Sequence, residues 1–376
     1  MQITAVIAEY NPFHFGHRYQ LEQIKKHSDA AVVIMSGPFV QRGEAAITDK
    51  WSRAHAALLN GADLVLELPV IFALASAREF ASGAVSLLDC TGSIDKLCFG
   101  TESGDAEALI KAAEIIENEP PEISKKIKAL VSEGMSYPAA RELAFSELVP
   151  AGLLSSPNNI LAIEYIRALM RINSTITPMP ILREGSGYHD INVNKFASAS
   201  GIRSRIFSGQ DISELLPCPD FEVYSTSALD TAVTACLRTM ATERLAEING
   251  VSEGLENRIL RAALMHSSID DIAAAVKTKR YTLTRIKRIL LSSLLGITHE
   301  LASMKPGYIR VLGMNSTGAE VLRLMKQNIT VITKAADYKA NDPVFAADIR
   351  AQNIFSLCGD TKKGNEDLTT SPVIIK

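Results

Sequence analysis

The feature that most constrains the fold is an alternation, over the first 120 residues, of short apolar runs with helical patterns. The runs Ile3–Ala8, 30–35, 63–68 and 94–99 are rich in Val, Ile and Leu and too short for helices. Between them, 17–27, 50–60 and 76–89 carry apolar residues at three- and four-residue spacing. Strands that read as continuous apolar runs are buried on both faces. The alternation therefore predicts an α/β fold with a Rossmann-like parallel sheet and helices on both sides.

Helical patterns continue through 120–146 and 159–172, and the segment Thr177–Leu182, with two prolines, reads as an edge strand or linker. A short helix is expected at 201–207. The stretch 209–220, holding Pro217 and Pro219, is the best boundary, dividing the chain into 1–210 and 211–376. Beyond it, helices are expected near 227–248, 255–266, 268–276 and 282–295. A small mixed piece follows, with strands at 308–313 and 329–333 around a helix at 318–327. The second domain is thus mainly helical with a small α/β piece, and 364–370 reads as a loop or frayed tail.

Apolar residues make up 47% and charged residues 22%, which excludes wholesale disorder. The net charge is −3, so any RNA-binding site must be a local basic patch. No apolar run approaches the roughly 18–20 residues that span a bilayer. The N-terminus lacks a basic start before a long apolar core, so no signal peptide is expected. Five cysteines (90, 98, 218, 236, 358) form no CxxC pair, which suits a reduced cytoplasmic protein without a structural zinc.

The chemistry concentrates in the ten residues AEYNPFHFGH, 8–17, directly after the first strand. The carboxyl end of a central parallel strand faces the crevice where ligands bind, and the next helix start offers N–H groups and positive dipole to phosphate. Gly16 leaves room for a nucleotide against the backbone. His14 and His17 are three apart, so on a helical first turn both rings point the same way. Paired imidazoles beside an anion-binding helix start suit charge developing on a phosphate in flight. Zinc sites favour i, i+4 histidines with a third ligand, which this stretch lacks, so no metal ligation is expected.

The stretch resembles the HxGH signature of the nucleotidyltransferase α/β phosphodiesterase superfamily. More closely, the chain resembles the bacterial tRNA(Met) cytidine acetate ligase family, through segments spread from residue 8 to residue 318. They are AEYNPFHFGH (8–17), MSGPFVQRGEAAITDKW (35–51), GADLVLELP (61–69), FGTESGD (99–105), SPNNILAIEY (156–165), REGSGYHD (183–190), SASGIR (198–203), KRYTLTRIKRIL (279–290) and RVLGMNSTG (310–318). The resemblance implies a nucleotidyltransferase domain followed by a tRNA-binding domain. It implies activation of acetate by ATP to acetyl-adenylate and pyrophosphate, then acetylation of N4 of the wobble cytidine of elongator tRNA(Met). His14 and His17 would be catalytic. ATP would lie along Ile7, Ala8, Glu9, Tyr10, Asn11, Pro12, Phe13, His14, Phe15, Gly16, His17, Arg18, Tyr19 and Gln20, with further contacts at Gly100, Asn158 and Arg183. Magnesium is expected with the nucleotide.

Read from the residues alone, Gly100 is a turn glycine or bare backbone beside a nucleotide. Asn158 reads as a helix cap and Arg183 as a surface cation or a phosphate fork. Ser198, Ser200 and Arg203 resemble the superfamily's second signature, which grips the β- and γ-phosphates. Gly201 stands where the family usually has Ser, and Asn11 where an Asp often precedes the proline, so neither role carries over. Gln41, Arg42, Gly43 and Glu44 follow the second strand, either holding acetate or the acceptor base or forming a surface loop. Lys50 and Trp51 come shortly after, the lone Trp equally a core anchor.

From 271 to 310 there are eight Lys or Arg against two acids, a net of +6. Six of them, Lys277, Lys279, Arg280, Arg285, Lys287 and Arg288, fall in twelve residues with no acid. Leu283, Ile286, Leu290 and Leu294 form an apolar helical stripe, with Arg285 and Arg288 facing away, and Tyr281 is placed to stack on an unpaired base. Either a solvated helix face or a tRNA backbone site fits this pattern. Two rival readings remain: a small-molecule adenylyltransferase that never touches RNA, and a tRNA-binding module without catalysis.

Overall fold

The computed structural model describes residues 1–135, 137–150, 152–183 and 197–376. The four apolar runs form strands β1 (Ile3–Ala8), β2 (Ala30–Ser36), β3 (Leu64–Leu68) and β4 (Lys96–Thr101). The helices between them are α1 (Phe15–Lys25), α2 (Lys50–Leu59) and α3 (Ala77–Cys90). Every residue of β2 and β3 is buried, because helices cover both faces of the sheet. Strand β5 (Thr177–Leu182) pairs with β4. Its Pro178 and Pro180, which donate no backbone hydrogen bond, sit at the end of the sheet, as an edge position permits.

The parallel strands run in the order β3-β2-β1-β4-β5. The order of strand addition reverses at β1, which makes the gap between the carboxyl ends of β1 and β4 the topological switch point. Helix α4 (Pro157–Arg171) packs over α3 on one face, and helix α5 (Ala199–Phe207) follows in the chain.

The mixed piece after residue 300 forms the expected elements but in a different place. Strands β6 (Tyr308–Met314), β7 (Thr330–Ile332) and β8 (Val373–Ile374) all belong to the eight-stranded sheet, with β6 antiparallel to β3. The sheet therefore draws strands from both sides of residue 210. The physical reason is a buried ion network. Lys50 of α2 bonds both oxygens of Glu67 on β3, at 2.7 and 2.9 Å, and reaches Asp367 at 2.7 Å. Arg310 of β6 contacts Glu67 at 3.2 Å and Asp367 at 2.8 Å. Burial alone would raise the Asp367 carboxyl, but Lys50 and Arg310 overcome it and hold the carboxyl below its ordinary value. The segment expected to be a frayed tail thus contains a short helix, Glu366–Thr369, that places Asp367 in the interior.

The helical region comprises α6 (Asp230–Thr239), α7 (Leu255–Met265), α8 (Ile269–Val276) and α9 (Leu283–Leu295). Its core includes Phe39, Val40 and Ala45 from a short hairpin after β2. Residues 41–43 are the turn of that hairpin, and Glu44 opens its second strand.

Candidate active site

The site is assembled at the carboxyl ends of β1 and β4, around a cavity of about 560 Å³. The loop after β1 is tied down from several sides. Arg53 of α2, only 1% exposed, donates to the carbonyls of Glu9 (2.8 Å), Ser36 (2.8 Å), Gly37 and Thr48 (3.1 Å). It thereby clamps the ends of β1 and β2 together. Asn11 accepts from the Ile47 amide at 2.7 Å, and its carbonyl accepts from Arg203 at 2.7 Å. Glu9 accepts from the Gln41 amide at 2.8 Å. Burial raises the Glu9 carboxyl; the Gln41 amide, Arg203, Arg42 and Arg53 oppose that rise.

His14 is the N-cap of α1, and the two histidines form a reciprocal cap. The His14 Nδ1 accepts from the Gly16 amide at 3.1 Å, and the His17 Nδ1 accepts from the His14 amide at 3.2 Å. The rings stack with centroids 3.7 Å apart and planes 20° apart, and His17 also rests on Tyr10 at 4.7 Å. Burial, with Arg183 nearby, pulls the His14 imidazole down to about 4. Burial, the His14 ring and Arg183 hold His17 well below its ordinary value. Both rings are therefore neutral at pH 7. A neutral imidazole that accepts at Nδ1 carries its proton on Nε2. Each ring thus takes up a helix-start N–H on one side and retains an Nε2–H donor, and hydrogen bonds in series polarise one another. The first turn of α1 contains no acid to neutralise the helix dipole.

This refines three expectations. Two helix-start amides are engaged by the rings, so imidazole N–H groups replace them as donors. Gly16 makes room for the His14 ring, since a Cβ there would meet His14 Cε1 at 2.9 Å. Of the stretch 7–20, Ile7, Ala8, Glu9, Tyr10, Asn11, His14, His17 and Gln20 line the cavity, and Gly16 and Tyr19 line a smaller recess beside it. Pro12, Phe13, Phe15 and Arg18 line neither. Phe13 is buried against Tyr10, with ring centroids 4.8 Å apart, and Arg18 pairs with Glu22 at 2.8 Å.

The other positions expected to contact the nucleotide converge on the same cavity. Gly100 is the penultimate residue of β4, and a Cβ there would meet the Arg183 Cγ at 3.1 Å. Asn158 lies in the first turn of α4, yet it does not cap. Its amide donates to Glu102 at 2.5 Å and its oxygen accepts from Arg183 at 3.2 Å. Ser198 caps α5 by accepting from the Gly201 amide at 3.2 Å and lies 3.2 Å from the Ser200 hydroxyl. Ser198, Ser200 and Arg203 all line the cavity. Gly185, Ser186 and Gly187, which follow Arg183 in the chain, lie outside the described residues.

Gln41 and Arg42 also line the cavity, so the 41–44 stretch is no bystander. Its backbone is held by Glu9 on one side and by Arg288, which donates to the Gln41 carbonyl at 2.9 Å, on the other. Gly43 is needed there, because it adopts φ +75° and a Cβ would meet the Arg288 amide at 2.5 Å. Lys50 proves to be wholly buried in the ion network, with its ammonium 5.2 Å from the centre of the Trp51 ring.

The basic stretch divides in two. Lys277, Lys279 and Arg280 are exposed, although Arg280 pairs with Glu253. Tyr281 is buried, and its hydroxyl bonds Glu253 at 3.1 Å, so it is not available to stack on a base. Arg285 donates to the Gly250 carbonyl at 2.9 Å, and Lys287 pairs with Asp270 at 2.6 Å. With Arg288 on Gln41, these side chains knit α9 to its neighbours. Sequence reasoning did not single out Arg53, because a lone arginine among alanines on a helix looks like a surface charge. Among the described residues no cluster of three or more His, Cys, Asp or Glu could hold a metal ion, and no helix is long and apolar enough to cross a membrane.

An open, mostly parallel sheet with a cavity at its switch point, faced by neutral imidazole and guanidinium donors, defines a nucleotide-binding α/β enzyme that handles phosphate. The family model for HIGH Nucleotidyl Transferase matches residues 1–369. A tRNA(Met) cytidine acetate ligase of Clostridium perfringens is 39% identical over 403 aligned residues, covering 100% of both chains. One from a Thermoanaerobacter species is 40% identical over 382, covering 95% of each. The crystal structure of Thermotoga maritima TmcAL bound with alpha-thio ATP matches with a TM-score of 0.88 and 31% identity, covering 100% of both chains. The chain belongs to the tRNA(Met) cytidine acetate ligase family of HIGH nucleotidyl transferases.

Proposed function

We propose that this chain is an ATP-dependent ligase that activates acetate as acetyl-adenylate and acetylates N4 of the wobble cytidine of elongator tRNA(Met). The observation that carries the reading is the stacked His14–His17 pair, held neutral and opening on the switch-point cavity. The relatives' name, tRNA(Met) cytidine acetate ligase, and the alpha-thio ATP bound by the Thermotoga maritima structure support this choice of substrates. ATP lies with its base and ribose toward Gly100, Asn158 and Arg183 and its phosphates toward the two histidines, Ser198, Ser200 and Arg203. Acetate attacks the α-phosphorus and pyrophosphate leaves. The Nε2–H groups of His14 and His17 donate to oxygens on which charge builds in this displacement, in a site that needs no reorganisation. Mg²⁺ travelling with the triphosphate would neutralise part of its charge, with ligands supplied mainly by ATP. The setting is the cytoplasm, where ATP and tRNA are both present.

The exposed cations Lys277, Lys279 and Arg280 give tRNA a backbone contact that adenylate chemistry does not use. Lys277→Glu with Lys279→Glu is expected to weaken tRNA binding several-fold and flatten its salt dependence, while acetate-dependent pyrophosphate exchange stays at the wild-type rate. A filter-binding titration at several salt concentrations checks this. The function itself is tested by nucleoside mass analysis of tRNA(Met) incubated with the protein, ATP and labelled acetate. One labelled acetyl on a single cytidine supports the ligase. Vigorous exchange with no label on tRNA would favour a small-molecule adenylyltransferase, and no exchange with any carboxylate a binding module.

A further inference from the structure

A second cleft, of about 370 Å³, opens beside the cavity, and the two share Arg203 as a wall. The hairpin after β2 and the end of α5 form one side of it, and the starts of α6 and α8 the other. We infer that this cleft seats the cytosine base that accepts the acetyl group, an inference that rests on the ligase reading above.

Three observations lead there. The first is continuity. Arg203 stands within electrostatic reach of both Glu44, which lines the cleft, and Glu9, which lines the cavity. A group placed in the cleft therefore adjoins the phosphate end of the nucleotide. The second is Phe207, the last residue of α5, which lines the cleft and is 58% exposed. A large exposed aromatic ring on a pocket wall is what an unstacked base needs to rest on. The third is the arrangement of hydrogen-bonding groups. Cytosine presents an amino group at N4 and acceptors at N3 and O2, and carboxylates recognise its N4 amine by accepting from it. Glu44 is such an acceptor. Its nearest cation, Lys287, is 3.6 Å away and is itself bound to Asp270 at 2.6 Å, so the carboxylate is only loosely engaged. The Ser227 hydroxyl and the Lys287 ammonium line the same cleft and supply donors for N3 and O2. Uracil would turn a carbonyl oxygen toward Glu44, so the cleft favours cytosine.

In this seat Glu44 touches the reacting amine. N4 attacks the acetyl carbonyl carbon and a C–N bond forms. The bond from that carbon to the bridging phosphate oxygen breaks, and its electron pair departs with AMP. The proton lost from N4 passes to the Glu44 carboxylate.

The test uses full-length Glu44→Gln and Phe207→Ala, with two readouts: acetate-dependent pyrophosphate exchange without tRNA, and transfer of labelled acetyl to tRNA(Met). Exchange within twofold of wild type is expected for both, which also shows that they fold. Glu44→Gln is expected to lower the maximal transfer rate about 100-fold or more, as loss of a proton acceptor does. Phe207→Ala is expected to raise the tRNA concentration at half-maximal rate about fivefold or more, as loss of one stacking platform does. Wild-type transfer in both variants would overturn the seat and leave the ligase reading standing. Loss of exchange in Glu44→Gln would move that carboxylate into the adenylation step and also overturn the seat. Exchange without transfer in the wild-type protein would overturn the ligase reading, and the seat with it.

Discussion

His14→Ala and His17→Ala are each expected to slow acetate-dependent exchange of pyrophosphate into ATP by about 100- to 1,000-fold, the usual loss when one preorganised donor to a developing oxyanion is removed. tRNA affinity should be unchanged, because the basic surface lies on a different part of the chain. Each substitution also removes half of the α1 cap, which costs about 1 kcal/mol of stability. Urea unfolding therefore belongs beside the kinetics, and it should show folded variants with a modestly lower midpoint. Exchange near the wild-type rate in either variant would remove that ring from the mechanism. The depressed pKa of the pair adds a pH signature. The His14 ring titrates near 4 rather than 6.5, so adenylation should not decline between pH 6 and pH 8 on its account. A ring acting as imidazolium with an ordinary pKa would lose rate about tenfold per pH unit above roughly 6.5. For stability the sign is the same: the neutral cap contributes fully above about 6.5 and is lost as the pH falls through about 4.

Lys50→Met is expected to destabilise the protein by about 3–5 kcal/mol, the typical cost of removing one partner from a buried ion group. The network balances Lys50 and Arg310 against Glu67 and Asp367, and all four side chains are at most 5% exposed. Without Lys50, two carboxylates face one guanidinium inside the protein. Adding Asp367→Asn restores the balance between Arg310 and Glu67, so the double variant should regain part of the loss. Urea melts of the two variants and the wild type check this, and a double variant no more stable than Lys50→Met would show that charge balance is not what holds the network.

The parallel sheet was legible because β1 to β4 are apolar runs, and the histidine pair because its spacing is local. Both signals lie within a few residues of sequence. The placement of β6 was not legible, since its register against β3 is set by contacts more than 240 residues apart. One clue existed. Glu67 stands inside the otherwise apolar run LVLEL, and a carboxylate in a strand buried on both faces requires a buried cation. That requirement points to Lys50 and Arg310, which composition alone would assign to the surface. Tyr281 misled for the converse reason: an aromatic among cations looks like a base platform until the fold turns its ring inward. Arg53, which holds the loop carrying both histidines, makes its hydrogen bonds to backbone carbonyls, and those leave no mark on side-chain patterns.

The central claim is that two neutral imidazoles, each proton-bearing at Nε2, confront the phosphates at the start of α1. Nitrogen-15 NMR of the histidine rings tests it most directly, with a pH titration and with ATP added. Two rings in the Nε2–H form are expected throughout pH 6 to 8, both absent from His14→Ala/His17→Ala protein and both shifted when ATP binds. Rings in the Nδ1–H form, or titrating near 6.5 and indifferent to ATP, would contradict it.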